Sequence, residues 1–184
     1  MTEEMVDVLD EDGNPTGVRK TKKYAHANGL WHRASHIWIY NSEGELLLQK
    51  RSMLVETKPG LWDISAAGHV SAGETPEQGA LREMYEEIGI KADPGDIKQI
   101  MVRKSSNVPK PDYYDNEFDY IYIFKHDGLP KKLRKGEVDA VRFMPISEFE
   151  EELKNPETAK NFVIRDYIPE LIKIIRRASA SSVC

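Results

Sequence analysis

The chain has 184 residues, a length typical of one globular domain with a sizeable hydrophobic core. Its formal charge of −5 gives no basic surface for a nucleic-acid polymer, and its one cysteine, Cys184, leaves no disulfide framework. The acidic N-terminus lacks a signal-peptide pattern, and no apolar run approaches the roughly 20 residues that cross a bilayer. These features predict a cytoplasmic protein that binds neither nucleic acid nor membrane.

The first predicted element is a hairpin, because turn residues at 10–15 separate two short segments, Val6 to Leu9 and Gly17 to Arg19. A polar loop is predicted over residues 105–116, which contain two prolines and two tyrosines. The other predicted strands cover residues 32–40, 45–50, 62–67, 97–104, 118–125 and 141–144.

Three helical segments are predicted, over residues 76–88, 146–153 and 157–178. Pro169 should kink or divide the last one, and residues 179–184 should be a frayed tail. Its apolar residues recur at helical spacing and predict a core-facing stripe of Ile164, Tyr167, Ile168, Leu171, Ile172 and Ile175. Few helices with many strands indicate an α+β fold or an α/β/α sandwich.

The helix at 76–88 has well-marked ends. Thr75 is a suitable N-cap, Pro76 suits the first position, and Gln78 stands where a capping box needs it. Gly89 can end the helix in the left-handed conformation. Together these residues fix the register of the acidic positions that follow.

Glu83, Glu86 and Glu87 fall within a roughly 100° arc of this helix, opposite its apolar face. Like charges at these spacings repel, and a hard divalent cation removes the repulsion by taking carboxylate oxygens as ligands. The alternative is a solvated acidic face with no ligand.

The surrounding residues decide between these readings. Residues 68–90 resemble the Nudix box: Gly, five residues, Glu, seven residues, Arg-Glu, an aliphatic, any residue, Glu-Glu, any residue, Gly and an aliphatic. Every fixed position is met, by Gly68, Glu74, Arg82, Glu83, Met84, Glu86, Glu87, Gly89 and Ile90.

The resemblance implies that this segment binds Mg²⁺ or Mn²⁺ and a diphosphate. Glu83, Glu86 and Glu87 would be metal ligands, with the Gly68 carbonyl as another. Arg82 and Glu74 would pair with each other and brace the loop. The implied fold is α/β, a Nudix-type α/β/α sandwich with a mixed sheet and an N-terminal hairpin, as a single domain over residues 1–184.

The resemblance extends to the isopentenyl-diphosphate isomerase branch of the same superfamily over roughly residues 6–125, through residues 24–34, 46–52, 59–63 and the pair Gly68-His69. It implies a second metal site formed by His26, His32, His69, Asp115 and Glu117. Imidazole with carboxylate suits Mn²⁺, Fe²⁺ or Zn²⁺ better than Mg²⁺. The alternative is a set of hydrogen-bonded structural histidines, and His36 on the same strand is interpreted as a packing residue.

One departure bears on the reaction. The isomerases place a cysteine immediately before the Gly-His pair, and here that residue is Ala67. A methyl group cannot transfer a proton, so diphosphate hydrolysis is favoured over isomerisation. Glu83, Glu87 and Glu117 are the candidate general bases, followed by Glu137. A non-catalytic nucleotide sensor is a third hypothesis, although such a module should lose glutamates of the box.

Diphosphate also needs protein cations. Arg51, whose position carries an arginine in the isomerase branch, is the first candidate for the substrate phosphate, followed by Lys50 and Lys58. Trp31, Tyr113 and Tyr114 are candidates for stacking a base. The predicted partner is a small-molecule diphosphate, and the sequence leaves open whether the chain is a homodimer.

Overall fold

The computed structural model describes residues 3–180. Its strands are β1 (Met5–Leu9), β2 (Pro15–Thr21), β3 (His32–Tyr40), β4 (Glu45–Arg51), β5 (Trp62–Asp63), β6 (Ala66–His69), β7 (Lys98–Lys110), β8 (Tyr113–Lys125) and β9 (Val138–Pro145). Its helices are α1 (Lys22–Ala27), α2 (Pro76–Ile88), α3 (Ile146–Lys154), α4 (Pro156–Ala159) and α5 (Ile168–Ala180).

The predicted N-terminal hairpin is present, since β1 and β2 pair antiparallel as a separate two-stranded sheet. Asp10 stabilises its turn, because its Oδ1 accepts hydrogen bonds of 2.9 Å from the backbone amides of Asp12 and Asn14. Helix α1 follows directly with Thr21 as its N-cap. This short helix was not predicted, because six residues give too few apolar repeats to show a helical period.

The main sheet has seven strands and is mixed, as predicted. The hydrogen-bonded path runs β5-β4-β3-β8-β7, while β6 pairs with β3 and β9 pairs with β4. The β3–β8 pair is parallel and the other pairs are antiparallel. The parallel register places His32, the first residue of β3, beside Glu117, the fifth residue of β8.

Helices cover both faces of this sheet. On one face, Met84 and Ile88 of α2 pack against residues that include Ile37 and Leu47. On the other face, α3 and α5 form a second core with Trp38 and its neighbours on the sheet. The result is the predicted α/β/α sandwich. No helix in the described part of the chain is both long and apolar enough to cross a membrane.

The predicted strand at 62–67 is two strands that pair with different neighbours. β5 pairs with β4, and β6 pairs with β3. Ser65 occupies the crossing between them: its hydroxyl donates to the Leu47 carbonyl at 2.6 Å and accepts from the Ile39 amide at 2.7 Å. The Ser65 hydroxyl bonds to backbone groups of β4 and β3 that a continuous strand would otherwise have paired. The chain can therefore switch from pairing with β4 to pairing with β3 without leaving buried backbone groups unpaired.

The prediction of a polar loop over residues 105–116 is wrong. β7 and β8 continue through this region as a long hairpin, paired as far as Lys110 and Tyr113, with a tight turn in which Asp112 has φ of 57°. Both faces are largely exposed here, so the sequence lacks the apolar alternation of a half-buried strand. β7 is an edge strand, and an edge tolerates Pro109 because its missing N–H removes no ladder bond.

The C-terminal helical segment is shorter than the predicted 157–178. Only α4 and α5 are helical, and Ile164 lies between them with 56% of its surface exposed, so it is not a core residue. Pro169 stands in the first turn of α5, where a missing N–H needs no partner, so it starts a helix and kinks none. α5 continues to Ala180, which corrects the predicted frayed tail at residues 179 and 180; residues 181–184 lie outside the described chain.

Candidate active site

A cleft of about 1280 Å³ lies where β6 leads into α2. The box glutamates of α2 form one wall, and the histidines of α1, β3 and β6 form another. The rim comes from residues 54–58 on one side and the β7–β8 turn on the other. The cleft therefore joins nearly all the candidate residues predicted from the sequence.

Helix α2 presents its acidic side to this cleft because its two ends are fixed as predicted. Thr75 and Gln78 form a reciprocal capping box, and Gly89 ends the helix with φ of 68°. With Met84 held in the core, Glu83 and Glu87 are buried at the cleft wall. A simple solvated acidic face is therefore excluded for these two residues.

The Glu87 carboxylate is held at one oxygen. Its Oε2 accepts hydrogen bonds from the Gln49 side chain at 3.1 Å and from the Ala67 backbone amide at 3.0 Å. Burial, with the nearby Glu83 charge second, raises the pKa of Glu87 to about 8. The Oε1 atom accepts no hydrogen bond among the described residues and remains available to a ligand in the cleft.

Glu83 lies against the backbone of Gly68. A Cβ on Gly68 would lie 2.2 Å from Glu83 Cδ, so only glycine fits at the entrance to the box. Arg82 donates a 2.6 Å hydrogen bond to Glu83 Oε1. Burial raises the pKa of Glu83 to about 7 even though the Arg82 charge opposes that shift.

Glu86 occupies the mouth of the cleft and is 40% exposed. Arg134, which the sequence did not single out, donates to its Oε2 at 3.0 Å, and Arg82 lies 3.7 Å from the same atom. The three box glutamates thus differ in surroundings. Glu83 and Glu87 are desolvated, whereas Glu86 is screened by water and by two arginines.

The predicted pairing of Arg82 with Glu74 is present, with Nε 2.9 Å from Oε1. Arg82 also donates to the His69 carbonyl at 2.8 Å, and the Ser71 amide donates to Glu74 at 3.0 Å. These bonds hold the loop between β6 and α2 against the helix. They fix His69 and Glu83 relative to each other.

Four side chains converge beside the glutamates: His26, His32, His69 and Glu117, with one ligand atom from each within 4.8 Å of the others. His69 Nε2 lies 3.0 Å from Glu117 Oε1, and His32 Nε2 lies 3.5 Å from the same oxygen. His26 Nε2 lies 3.0 Å from His69 Nε2. Asp115 does not enter this group, but it lies 3.1 Å from His26 Nδ1 on the far side of the ring.

The hydrogen-bond partners fix two of the imidazole tautomers. His32 Nδ1 faces the Leu30 carbonyl at 2.8 Å, and His26 Nδ1 faces the Tyr114 carbonyl at 3.1 Å. A carbonyl only accepts, so both Nδ1 atoms carry the proton. In the neutral rings both Nε2 lone pairs then point into the cluster, that of His32 toward the Glu117 carboxylate and that of His26 toward His69 Nε2. The cluster therefore has more acceptors than donors.

A proton or a metal cation can relieve this excess of acceptors. Burial disfavours the charged form of His32, but the hydrogen bond that this form donates to Glu117, together with the negative charge of Glu117, outweighs burial and raises the pKa of the imidazole. Burial also works against the Glu117 carboxylate, yet His32 and His69 hold the pKa of Glu117 well below its usual range. The same donor set is the one that binds a borderline divalent cation.

His36 is separate from this cluster, in agreement with its interpretation as a packing residue. Its Nδ1 lies 3.0 Å from the Tyr167 hydroxyl, and its Nε2 lies 3.7 Å from Asp119. Burial lowers the pKa of His36 to about 3, so the ring is neutral.

The predicted phosphate-binding cations are only partly in the cleft. Lys58 and Arg51 line it, whereas Lys50 lies outside it with its Nζ 5.9 Å from the centre of the Trp62 ring. Arg51 uses most of its donors within the protein: Nε and Nη2 bond to the Thr57 carbonyl at 3.2 and 3.0 Å, and Nη1 bonds to Asp63 at 3.3 Å.

Of the predicted stacking residues, only Tyr113 lines the cleft. One face of its ring is stacked on His26 with centroids 4.2 Å apart, and the Lys110 ammonium lies 4.9 Å from the ring centre. Trp31 is outside the cleft and contacts Phe118. None of these rings offers a free platform within the described cleft.

The comparisons with known proteins agree with this geometry. The model of the NUDIX domain matches residues 30–165, well over half of the chain. The chain belongs to the Nudix family. Among its relatives, Nudix hydrolase 3 of Arabidopsis thaliana is 39% identical over 165 residues, which cover 86% of this chain but only 21% of that protein.

Two further likenesses of this Nudix protein are informative. An isopentenyl-diphosphate delta-isomerase of Serratia proteamaculans is 36% identical over 129 residues, which cover 70% of each chain. The crystal structure of DR0079 from Deinococcus radiodurans superposes with a TM-score of 0.67 at 20% identity, over 95% of this chain and 98% of that one. The first supports the predicted isomerase-like branch, and the second shows the Nudix fold. The protein is a Nudix hydrolase by family.

Nudix hydrolases use divalent metal ions, and the residues of this one fit that requirement. Two buried carboxylates, Glu83 and Glu87, share one cleft wall at raised pKa, and burying a pair of like charges is costly unless a cation compensates them. Oxygen donors suit Mg²⁺ or Mn²⁺. Gly68 lies directly against the Glu83 side chain.

Sequence reasoning missed several residues of this Nudix cleft. Arg165 and Asp63 form a buried ion pair on its floor, and Gln49 orients Glu87. Lys22 and Arg134 add positive charge at the rim. Arg165 gave no signal, because one arginine between Ile164 and Asp166 is ordinary on a predicted helix.

Proposed function

We propose that this Nudix hydrolase cleaves a diphosphate linkage in a nucleoside-diphosphate derivative or a related organic diphosphate, with Mg²⁺ or Mn²⁺ as cofactor. The observation that carries the proposal is the pair of buried carboxylates, Glu83 and Glu87, at the wall of a cleft that also contains lysine and arginine side chains. A site with buried anions on one side and protein cations on the other suits a metal-bound diphosphate.

Glu83, Glu86 and Glu87 are the proposed metal ligands, with the Gly68 carbonyl as a fourth. When bound, the metal supplies a Lewis acid that polarises the phosphoryl oxygens and lowers the pKa of water. The roles of the three glutamates differ. Glu83 and Glu87 are held in place by Arg82, Gln49 and the Ala67 amide, whereas Glu86 closes the site at its mouth.

The proton of the attacking water goes to a carboxylate of the cleft, with Glu83, Glu87 and Glu117 as the candidates. Glu87 is the best placed, because Oε2 is fixed by two donors and Oε1 accepts no hydrogen bond among the described residues. Glu83 Oε1 is engaged by Arg82, and Glu117 is engaged by two histidines. Glu137 lines the cleft but pairs with Arg134 at 3.2 Å, which makes it the weaker candidate.

We also propose that His26, His32, His69 and Glu117 hold a second divalent transition-metal ion. The converging Nε2 lone pairs and the Glu117 carboxylate support this. Asp115 then acts as an outer partner that orients His26, as carboxylates commonly do for metal-binding imidazoles. An ion here would lie beside the box glutamates and would face the same substrate.

Two observations support the isomerase alternative: the histidine–glutamate cluster that the resemblance predicted, and the 36% identity to an isopentenyl-diphosphate isomerase. This alternative lacks the thiol, since Ala67 occupies that position on β6 and Cys184 lies outside the described residues. The sensor alternative lacks support, because all the box glutamates are present in the cleft. Hydrolysis is therefore the function that the site supports best.

Phosphate release in the presence of Mg²⁺ tests this proposal directly. The panel should contain ADP-ribose, nucleotide sugars, nucleoside triphosphates and isoprenyl diphosphates, each with a matched reaction that contains chelator. Release from at least one compound that stops with chelator and in the Glu87→Gln variant is expected. Absence of turnover on the whole panel, with metal binding intact, would favour the sensor hypothesis.

A further inference from the structure

We propose that Arg165 is a phosphate-binding residue of this cleft, that Asp63 holds it there, and that Arg51 is a positioning residue. This inference rests on the proposed function and extends it with a subsite that the sequence pattern did not indicate. It assigns the direct anion contact to an arginine near the C-terminal helix.

The chain delivers Arg165 to the cleft floor by a backbone connection to β5. The Trp62 amide donates to the Asn161 carbonyl, and the Val163 amide donates to the Trp62 carbonyl, both at 2.8 Å. These bonds place the segment that carries Arg165 parallel to the strand that carries Asp63. The position of Arg165 therefore depends on secondary structure and not on a loose loop.

Asp63 lies between two arginines. Its side chain is 2% exposed, its Oδ1 accepts from Arg165 Nη1 and from the Ile64 amide, and its Oδ2 accepts from Arg51 Nη1 at 3.3 Å. Burial alone would raise the pKa of Asp63, but the Arg165 and Arg51 charges lower it, so the carboxylate is ionised. Within this group of three side chains, one negative charge is shared by two positive ones.

Arg51 and Arg165 differ in how many of their N–H donors remain free. Arg51 has Nε and both terminal nitrogens engaged with Thr57 and Asp63, and in this way it anchors the loop that carries Lys58. The Arg165 guanidinium makes a single hydrogen bond among the described residues, through Nη1 to Asp63. A guanidinium has five N–H donors, so Arg165 keeps most of its donors for an anion.

The surroundings favour a phosphoryl group as that anion. Arg165 lines the cleft together with two other cationic side chains, Lys58 and Arg51. Planar guanidinium donors match the spacing of phosphate oxygens. The box glutamates line the same cleft as Arg165, so a metal-bound diphosphate and this guanidinium would share one cavity.

Isothermal titration calorimetry with methylenediphosphonate, a diphosphate analogue that cannot be hydrolysed, tests the assignment with and without Mg²⁺. Arg165→Gln should weaken binding at least about tenfold in both conditions, with partial recovery in Arg165→Lys, since lysine keeps the charge but not the fork. Arg142→Gln is the matched control: this half-buried arginine stacks on Trp62 at 4.3 Å outside the cleft and should bind the probe normally.

Two further measurements test the proposal even if the Arg165→Gln variant does not fold. The double variant Asp63→Asn/Arg165→Gln removes the buried carboxylate together with its partner and should bind the probe as weakly as Arg165→Gln. In the unmodified protein, saturating probe should slow the reaction of Arg165 with phenylglyoxal, followed by mass spectrometry. An unchanged rate, an unchanged affinity in the double variant, or a larger loss in Arg51→Gln than in Arg165→Gln would overturn the assignment.

These outcomes are independent of the proposed hydrolysis. Glu87→Gln should abolish turnover and still bind the probe without Mg²⁺. If the panel of diphosphates gives no turnover while probe binding still depends on Arg165, the subsite stands and the hydrolase proposal fails. If turnover occurs but probe binding is the same with and without Arg165, the hydrolase proposal stands and the subsite proposal fails.

Discussion

Gly68 and Glu83 are in such close contact that a single methyl group would not fit between them. A Cβ on Gly68 would lie 2.2 Å from Glu83 Cδ and 2.4 Å from Oε1. Gly68 does not have a positive φ, so its need for glycine is steric and not conformational. The glycine at the start of the box motif thus has a local physical reason in this chain.

Gly68→Ala should therefore displace the Glu83 carboxylate. Overpacking of this kind costs about 1–3 kcal/mol of unfolding free energy, measurable by urea denaturation, and the displaced ligand should also lower turnover. In the double variant Gly68→Ala/Glu83→Ala the clash is absent, so stability should return while activity does not. Equal stability of Gly68→Ala and the unmodified protein would contradict the contact.

Removing one charge from the buried pair Glu83 and Glu87 should lower turnover without lowering stability. Glu87→Gln preserves shape and should reduce turnover by at least about 10²-fold, the lower range for a catalytic acid or base. Its unfolding free energy should hold or rise, because repulsion with Glu83 is relieved. The matched control is Glu77→Gln, on the same helix but bonded to the Gly95 amide outside the cleft. Near-normal turnover in both Glu86→Gln and Glu87→Gln would refute the assignment.

The raised pKa values of Glu83 and Glu87 predict how stability depends on pH without metal. Their ordinary value of 4.5 becomes about 7 and about 8 in the folded protein, so the folded state keeps these protons to higher pH than the unfolded chain does. Stability should therefore fall as pH rises from about 4.5 through 8. Mg²⁺ or Mn²⁺ should restore it, more at pH 8 than at pH 5, because deprotonated carboxylates bind the ion.

Thermal unfolding at pH 5 and pH 8, with and without metal, checks this prediction. A stabilisation of about 2 kcal/mol corresponds to roughly 4–8 °C in Tm for a chain of this size. Glu87→Gln should have a smaller pH slope and a smaller response to metal. A metal-free Tm that rises between pH 5 and pH 8 would be inconsistent with the buried pair.

The absence of a thiol at Ala67 predicts the outcome with isopentenyl diphosphate. The position lies on the cleft wall, and its amide donates to Glu87, but its side chain carries no proton to transfer. No dimethylallyl product should form above background, as measured by chromatography of the reaction, with an authentic isomerase as the positive control. Product at an enzyme-like rate would require another proton donor and would overturn the preference for hydrolysis.

The parts of the fold that were predictable are those with a strong local signal. The capping residues Thr75 and Gln78 and the apolar stripe gave α2 its bounds, and alternation gave β3 and β8 their buried halves. The prediction for residues 105–116 failed because this exposed part of the hairpin has no strong local signal. Its strands are stabilised by pairing with each other and not by an apolar face, and pairing between distant residues leaves no local pattern.

The residues of the candidate site can likewise be divided into those that the sequence could predict and those that it could not. The box glutamates and the histidines could be identified because their spacing resembles a family motif. Arg165 and Asp63 could not, since they meet only after residues 161–163 lie beside β5. Lys50 does not line the cleft, because its side chain extends toward Trp62.

The histidine cluster gives a prediction that metal binding can test directly. If His26, His32, His69 and Glu117 bind a transition metal, Co²⁺ should give visible d–d absorption bands in the unmodified protein. The bands should be lost in His32→Ala and His69→Ala but retained in Glu87→Gln and in His126→Ala, whose ring stacks on Phe124 outside the cluster. Because neutral imidazole is the ligand, occupancy should fall as pH drops, and the raised pKa of His32 places the start of that loss above about 6.5, the unperturbed histidine value.

Co²⁺ bands that persist in both His32→Ala and His69→Ala would rule out the second site. The convergence of the rings would then favour contact with substrate phosphate. In that case His69→Ala should raise KM more than it lowers kcat, because a group that binds ground state and transition state equally changes affinity and not the chemical step. Steady-state kinetics of the same variant, in metal-saturated buffer, would separate the two roles of this imidazole.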